Sequence, residues 1–175
     1  IDHMGTDLSV VNAARVSFGK NSDWDYTDWR DSDDYARKKV LSKGDTKLIH
    51  YLAEHKHMSP FGHAFASFHV KAPIFVARQL VKHKFLRWNE ISRRYVDDEP
   101  EFYEPDAWRG RSADKKQGSD GVVGTDTLVG SAGYNHHCKT FYQDLIDSDI
   151  APEQARMVLP QSTMTEWYWS GSLDA

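Results

Sequence analysis

The sequence predicts a single α/β domain, with helices and strands mixed along one chain, on three observations. Its 175 residues suit one domain of ordinary size, long enough to bury a core. Apolar residues recur at helical spacing in several segments, while His63–Lys71 alternates with a period of two. Polar stretches carrying Gly and Pro separate these segments as loops.

Along the chain, Ala13–Phe18 is a short stretch of mixed signals, and residues 19–34 are polar and rich in Asp, as a loop would be. Helices are expected at Asp34–Leu41 and Asp45–Glu54, separated by Lys43-Gly44, with Asp45 as N-cap of the second. Leu48, Leu52 and His55 share a face, with Ile49 beside them, and read as core. Ser59-Pro60-Phe61-Gly62 is a turn before the His63–Lys71 strand. Pro73 suits the first position of a helix through Ile74, Ala77, Leu80 and Val81. That helix presents Lys82-His83-Lys84 at its C-terminal end, where the helix dipole favours positive charge. Residues 97–125 form a polar, loop-rich excursion. Leu128, Tyr134, Cys138, Phe141, Leu145 and Ile146 then give a helical period, and Pro152 opens a short helix ending near Leu159-Pro160. Thr163–Trp169 fits a strand or a helix start, and the residues do not decide between them.

Composition narrows the function. The apolar fraction is 39%, offset by 6 Trp, 8 Tyr and 8 Phe, whose rings bury much area each. A net charge of -4 argues against a general nucleic-acid binder. Cys138 is the one cysteine, which excludes an intramolecular disulfide framework and suits a reducing compartment. No apolar run is long enough to span a bilayer and no signal-peptide pattern opens the chain, so a cytoplasmic location is expected. Beginning at Ile1 and stopping at Ala175, just after an aromatic run, the chain reads as a portion of a longer product.

Positive charge is concentrated between Lys71 and Arg94, where Lys71, Arg78, Lys82, Lys84, Arg87, Arg93 and Arg94 face one acid, Glu90. An anion site, phosphate above all, and a merely solvated basic surface explain that charge equally well. The order Trp88-Asn89-Glu90-Ile91-Ser92-Arg93-Arg94-Tyr95 favours the site, because a run so dense in convergent polar groups is poor helix and poor core. His55, His57, His63 and His69 lack the Cys pairs or HExxH spacing of a metal centre, so no metal is expected. Cys138 has the periodicity of a buried helix position and reads as core, not nucleophile. Trp167-Tyr168-Trp169 reads as core or interface before it reads as a base-stacking platform.

These residues resemble the flavin-dependent thymidylate synthases. Lys82-His83-Lys84, seven residues and Ser92 is similar to that family's Arg-His-Arg, seven residues, Ser signature. Asn89-Glu90-x-Ser92-x-Arg94-Tyr95, Ala13–Phe18, His57-x-Ser59-Pro60-Phe61-x-His63, Phe68–Gln79 and Ala155-Arg156-x-Val158-Leu159-Pro160 follow its pattern in the same order, over most of the chain. The resemblance implies one family domain over residues 1–175, with a central antiparallel sheet flanked by helices. It also implies a homotetramer with sites at subunit junctions, in a bacterium or a virus of one. The implied reaction is methylation of dUMP to dTMP, with methylenetetrahydrofolate as carbon donor, and FAD reduced by NADPH as hydride source. No protein nucleophile on the pyrimidine is implied.

By position, Ser17, His57, Ser59, Lys82, His83, Lys84 and Glu90 are implied flavin contacts. Gln79, Lys82, Glu90, Ser92, Arg93, Arg94 and Arg156 are implied dUMP contacts, with Arg94 and Arg156 able to clamp a phosphate. The chain departs from the pattern in three ways. Lys82 and Lys84 replace arginines and lose the planar bidentate fork. Ser172 and Asp174 stand where many members carry flavin-touching Asn and Arg. The family's C-terminal helices, which bring an Arg to the pyrimidine ring, would lie beyond Ala175. Two other readings remain for the same residues: a non-catalytic nucleotide- and flavin-binding relative, and a single-stranded nucleic-acid module stacking bases on Trp88 and Tyr95.

Overall fold

The computed structural model of the chain describes residues 1–31, 34–114, 116, 118–123 and 129–175. In chain order the elements are β1 (Asp2–Met4), α1 (Asp7–Arg15), β2 (Asp25–Asp31), β3 (Asp34–Val40), α2 (Lys43–Glu54), β4 (Phe65–Pro73) and α3 (Ile74–Leu80). They continue with β5 (Arg87–Glu90), β6 (Arg109–Arg111), β7 (Ser119–Val122), α4 (Val129–Asp147), α5 (Pro152–Ala155) and β8 (Met164–Ser172). The fold is mixed α/β, as expected, around a four-stranded sheet of order β1-β4-β8-β5. β1 pairs antiparallel with β4, Asp2 opposite Ser67. β4 and β8 are antiparallel too: Leu173 N donates to Ala64 O near one end (2.9 Å) and Ile74 N to Thr163 O near the other (2.9 Å).

The chain forms two compact units, and β4, β5 and β8 each contribute residues to both. The first comprises Ile1–His69, Lys84–Trp88 and Tyr168–Ala175. Its core holds Val10 and Val11 of α1, Leu52 of α2 and Ala64. Gly5 joins β1 to α1 at a φ of 81°, and a Cβ there would lie 2.8 Å from the His63 carbonyl oxygen. Glycine is therefore required on two counts, left-handed backbone and close approach. Asp45, only 2% exposed, is the buried charge of this unit. Arg15 reaches it from α1, donating through Nε (2.9 Å) and Nη2 (2.5 Å) to Oδ1.

The second unit comprises Val70–His83 and Asn89–Trp167. Along β8 the side chains alternate, with Thr163, Thr165 and Trp167 buried and Met164 and Glu166 partly exposed. α4 packs Asn135, Cys138 and Tyr142 inward at helical spacing.

Several sequence expectations are corrected. Asp34–Leu41 is not a helix: Asp34–Val40 is β3, paired in register with β2 from Asp25↔Val40 to Asp31↔Asp34. The expected loop at 19–34 accordingly contains β2. Both segments scatter a few apolar residues among many charged ones, so neither period is legible, and the backbone ladder itself decides the conformation. Asp45 is not the N-cap of α2. Ser42 holds that position, its Oγ accepting from Asp45 N at 3.0 Å, so Lys43-Gly44 starts the helix instead of separating two. The strand expected at His63 starts at Phe65, because Ser59–His63 forms a short 3-10 turn, and Pro73 is the N-cap of α3, one place earlier than expected. Trp88–Glu90, read as loop, lies in β5, and the 97–125 excursion contains the paired strands β6 and β7. Residues 115, 117, 124 and 125 of that excursion, and Leu128, lie outside the described residues. Tyr134 and Phe141 point outward at 58% and 46% exposure, and the neighbouring Tyr142 is buried instead. Thr163–Trp169 resolves as strand, and Cys138 is buried as expected.

Candidate ligand sites

In the second unit, β5 ends at Glu90 and the chain turns sharply through Ser92–Val96. Tyr95 N and Val96 N both donate to Ser92 O, at 3.0 and 3.2 Å. The turn is stitched to β8 by Ile91 N donating to Glu166 O at 2.9 Å. Its side chains are fixed locally: Arg94 Nε donates to Ser92 Oγ (3.1 Å), and Arg93 Nη1 donates to Asp98 O (2.8 Å). The Arg94 guanidinium also lies 5.0 Å from the Tyr95 ring centre, within cation–π range. Thr165 Oγ1 donates to Glu90 Oε1 at 2.7 Å.

The turn borders a cavity of about 720 Å3 that also receives Arg78 from α3, Glu153 from α5 and Arg156 just after it. That volume is ordinary for a small-molecule site. Cationic side chains at its wall are Lys71, Arg78, Arg93, Arg94 and Arg156; carboxylates are Glu90, Asp98, Glu99, Glu101, Glu153 and Glu166. The lining is thus of mixed sign, not simply basic. Lys71 Nζ is paired with Glu101 Oε2 (2.5 Å) and lies 3.9 Å from Glu166 Oε1. The hydrogen bond to Glu101 raises the Lys71 pKa above its usual 10.5, keeping it charged.

The first unit has its own cavity, of about 730 Å3. Ala13, Ala14, Leu48, Leu52 and Pro60 give it apolar walls, and Arg15, Ser17, Lys20, His57, Ser59 and His63 give it polar ones. Tyr51 at its edge stacks on His55, ring centres 4.1 Å apart. Leu48 and Leu52, read as core, therefore also wall a cavity. A flat heterocycle bearing hydroxyls and phosphate fits such a lining, since apolar walls accept the ring and the Ser, His and cationic groups accept its polar edge.

The expected site residues therefore fall into groups. Glu90, Ser92, Arg93, Arg94 and Arg156 meet at the second unit's cavity, and Ser17, His57 and Ser59 meet at the first unit's. Gln79, Lys82, His83 and Lys84 line neither of these two cavities; all four are exposed, on α3 or just beyond it. Lys82 and His83 belong to the second unit and Lys84 to the first. Sequence reasoning missed Thr165, which a β-branched polar residue in an alternating stretch could have flagged, and Glu153, which carries no local signal. Among the described residues no group of three or more His, Cys, Asp or Glu side chains could hold a metal ion.

The family model for the thymidylate synthase complementing protein matches residues 1–175. The chain belongs to that family. A flavin-dependent thymidylate synthase of Thermus thermophilus is 40% identical over 174 residues, covering 99% of this chain and 58% of the relative. The enzyme of the same name from Treponema denticola is 40% identical over 177 residues, covering 97% and 60%. A crystal structure of the UMP/dUMP methylase PolB from Streptomyces cacaoi, bound with 5-Br dUMP, superposes with a TM-score of 0.76 at 35% identity, covering 98% of this chain and 71% of PolB. The chain thus spans about three fifths of the length of these two synthases.

Proposed function

We propose that this chain is the nucleotide- and flavin-binding part of a flavin-dependent thymidylate synthase that methylates dUMP to dTMP. The observation that carries this reading is the cavity where the Glu90–Arg94 turn meets Arg156. Family membership and the functions carried in the names of the synthases and of PolB support it. In this reading Arg94 and Arg156 clamp the substrate phosphate with charge-assisted hydrogen bonds, Ser92 and Arg93 complete the turn around it, and Glu90 holds a ribose or ring group. Gln79 and Lys82 are further dUMP contacts of the same reading. Ser17, His57, Ser59, Lys82, His83, Lys84 and Glu90 are the FAD contacts of this reading, at sites built at subunit junctions. When bound, the flavin supplies the hydride, drawn from NADPH, and methylenetetrahydrofolate supplies the carbon. The chain's own residues orient the pyrimidine and exclude bulk water. Assembly as a homotetramer belongs to the same reading. The six carboxylates at the cavity wall weigh against the nucleic-acid module, since a polyanion would meet repulsion there.

The test uses the purified full-length protein. A flavin absorbance spectrum that shifts on adding dUMP, together with NADPH oxidation that dUMP accelerates and dTMP as product, is the expected result. Bound flavin and dUMP without any dTMP would select the non-catalytic relative. A colourless protein that takes up neither added FAD nor dUMP would overturn the reading altogether.

A further inference from the structure

Thr165 occupies a position that fold requirements alone do not explain. It lies in β8, 6% exposed, on the inward face that also carries Thr163 and Trp167. Valine has the same shape, suits a strand, and would bury there without a hydroxyl to satisfy. Thr163 has a local reason for its hydroxyl, because Oγ1 donates to Pro160 O at 2.7 Å and closes the turn into the strand. The Thr165 hydroxyl instead crosses to the neighbouring strand and donates to Glu90 Oε1 at 2.7 Å.

We infer that Thr165 is a positioning residue for Glu90, fixing the carboxylate that faces the nucleotide; this rests on the function proposed above. The physical case has two parts. Glu90 is exposed at the last residue of β5, and the Thr165 hydroxyl gives its carboxylate oxygen a partner fixed in the sheet. Thr165 is β-branched and enclosed, so its own rotamer is restricted and its hydroxyl forms a stationary anchor. The Ile91 N to Glu166 O bond at 2.9 Å, one residue along each strand, holds the two backbones in the register that this contact needs. The acid that opens the binding turn thereby has one of its oxygens held toward β8, which is how a buried neighbour supports a ligand contact without touching the ligand.

The experiment compares the full-length, FAD-loaded protein with Thr165→Val, Thr165→Ser, Glu90→Ala and the Thr165→Val/Glu90→Ala double variant. Readouts are dUMP affinity from the flavin spectrum, kcat and KM for dUMP, and the melting temperature. Thr165→Val should weaken dUMP binding or kcat/KM about tenfold, with the melting temperature nearly unchanged. Thr165→Ser, which keeps the hydroxyl, should stay within about threefold of the parent. The double variant should be no worse than Glu90→Ala alone, since a residue acting through Glu90 then has no side chain left to position. Thr165→Val indistinguishable from the parent in binding and kinetics, or losses that simply add in the double variant, overturns the inference. Should Thr165→Val fail to fold, Thr165→Ala against Thr165→Ser gives the same comparison. A parent protein that binds no dUMP refutes the underlying function as well, and so is distinguished from failure of the Thr165 role alone.

Discussion

Arg94 and Asp45 are both charged residues held by neighbours, yet they serve opposite ends. Arg94 is exposed, and its partners Ser92 and Tyr95 are its own sequence neighbours. Arg94→Ala should therefore cost about 0.5 kcal/mol or less in stability. Calorimetry should show dUMP affinity falling by tenfold or more, because a charge-assisted phosphate contact is worth about 1.5–3 kcal/mol. A melting temperature that collapses in Arg94→Ala would instead make it structural. Asp45 is the reverse case. Burial pushes its carboxyl pKa up, but hydrogen bonds from Arg15, Ser42 and Ser22 and the guanidinium charge outweigh burial, so it lies below the usual 3.8. A depressed folded-state value means that the stabilisation is fully present above pH 3.8 and is lost as pH falls through the lower folded-state value. Asp45→Asn should destabilise the protein by about 3 kcal/mol near neutrality, since it strands Arg15. Its melting temperature should also fall less steeply than the parent's in acid; parallel curves would exclude the linkage.

At the level of elements, what could be read beforehand depended on whether a segment has an apolar face. α3 and α4 pack one side inward, and their positions were legible within a residue or two from period and proline placement, whereas α5 starts at Pro152 as expected but ends at Ala155 and passes into a 3-10 turn over Arg156–Val158. β2 and β3 pair with each other, so a backbone register that no local pattern encodes determines them. The α2 start was misread for a related reason. Ser42 and Asp45 both have capping chemistry, and only the fold shows that Asp45 is turned to Arg15 while Ser42 takes the cap. The site was partly legible in the same sense: Glu90–Arg94 is contiguous, whereas Glu153 and Thr165 arrive from elements whose pairing is non-local. Ser42→Ala removes both the cap and a donor to Asp45 Oδ2, and should cost about 1–2 kcal/mol in chemical denaturation. Gly5→Ala places a methyl 2.8 Å from a carbonyl oxygen at a φ of 81°, and should cost about 1–3 kcal/mol. Unaltered denaturation midpoints would contradict either assignment.

For the molecule as a whole, the two cavities, one in each unit, take up eight of the expected ligand contacts and leave Gln79, Lys82, His83 and Lys84 outside, and among the described residues no helix is long and apolar enough to cross a membrane. With a net charge of -4, the chain has little general attraction for anions, so recognition depends on local geometry. Ligand affinity should accordingly vary with salt far less than for a purely basic groove, as titrations at several salt concentrations would show. The mixed-sign cavity has a further consequence for competition. Its four arginines can meet one phosphate, Lys71 being engaged with Glu101, while the carboxylates at the same wall oppose each additional negative group. Nucleoside triphosphates share the base and sugar of their monophosphates, and inside a cell they compete for any site that rewards charge alone. On the function proposed above, a wall built this way should favour one phosphate over three, and a nucleoside triphosphate should bind more weakly than dUMP in titration.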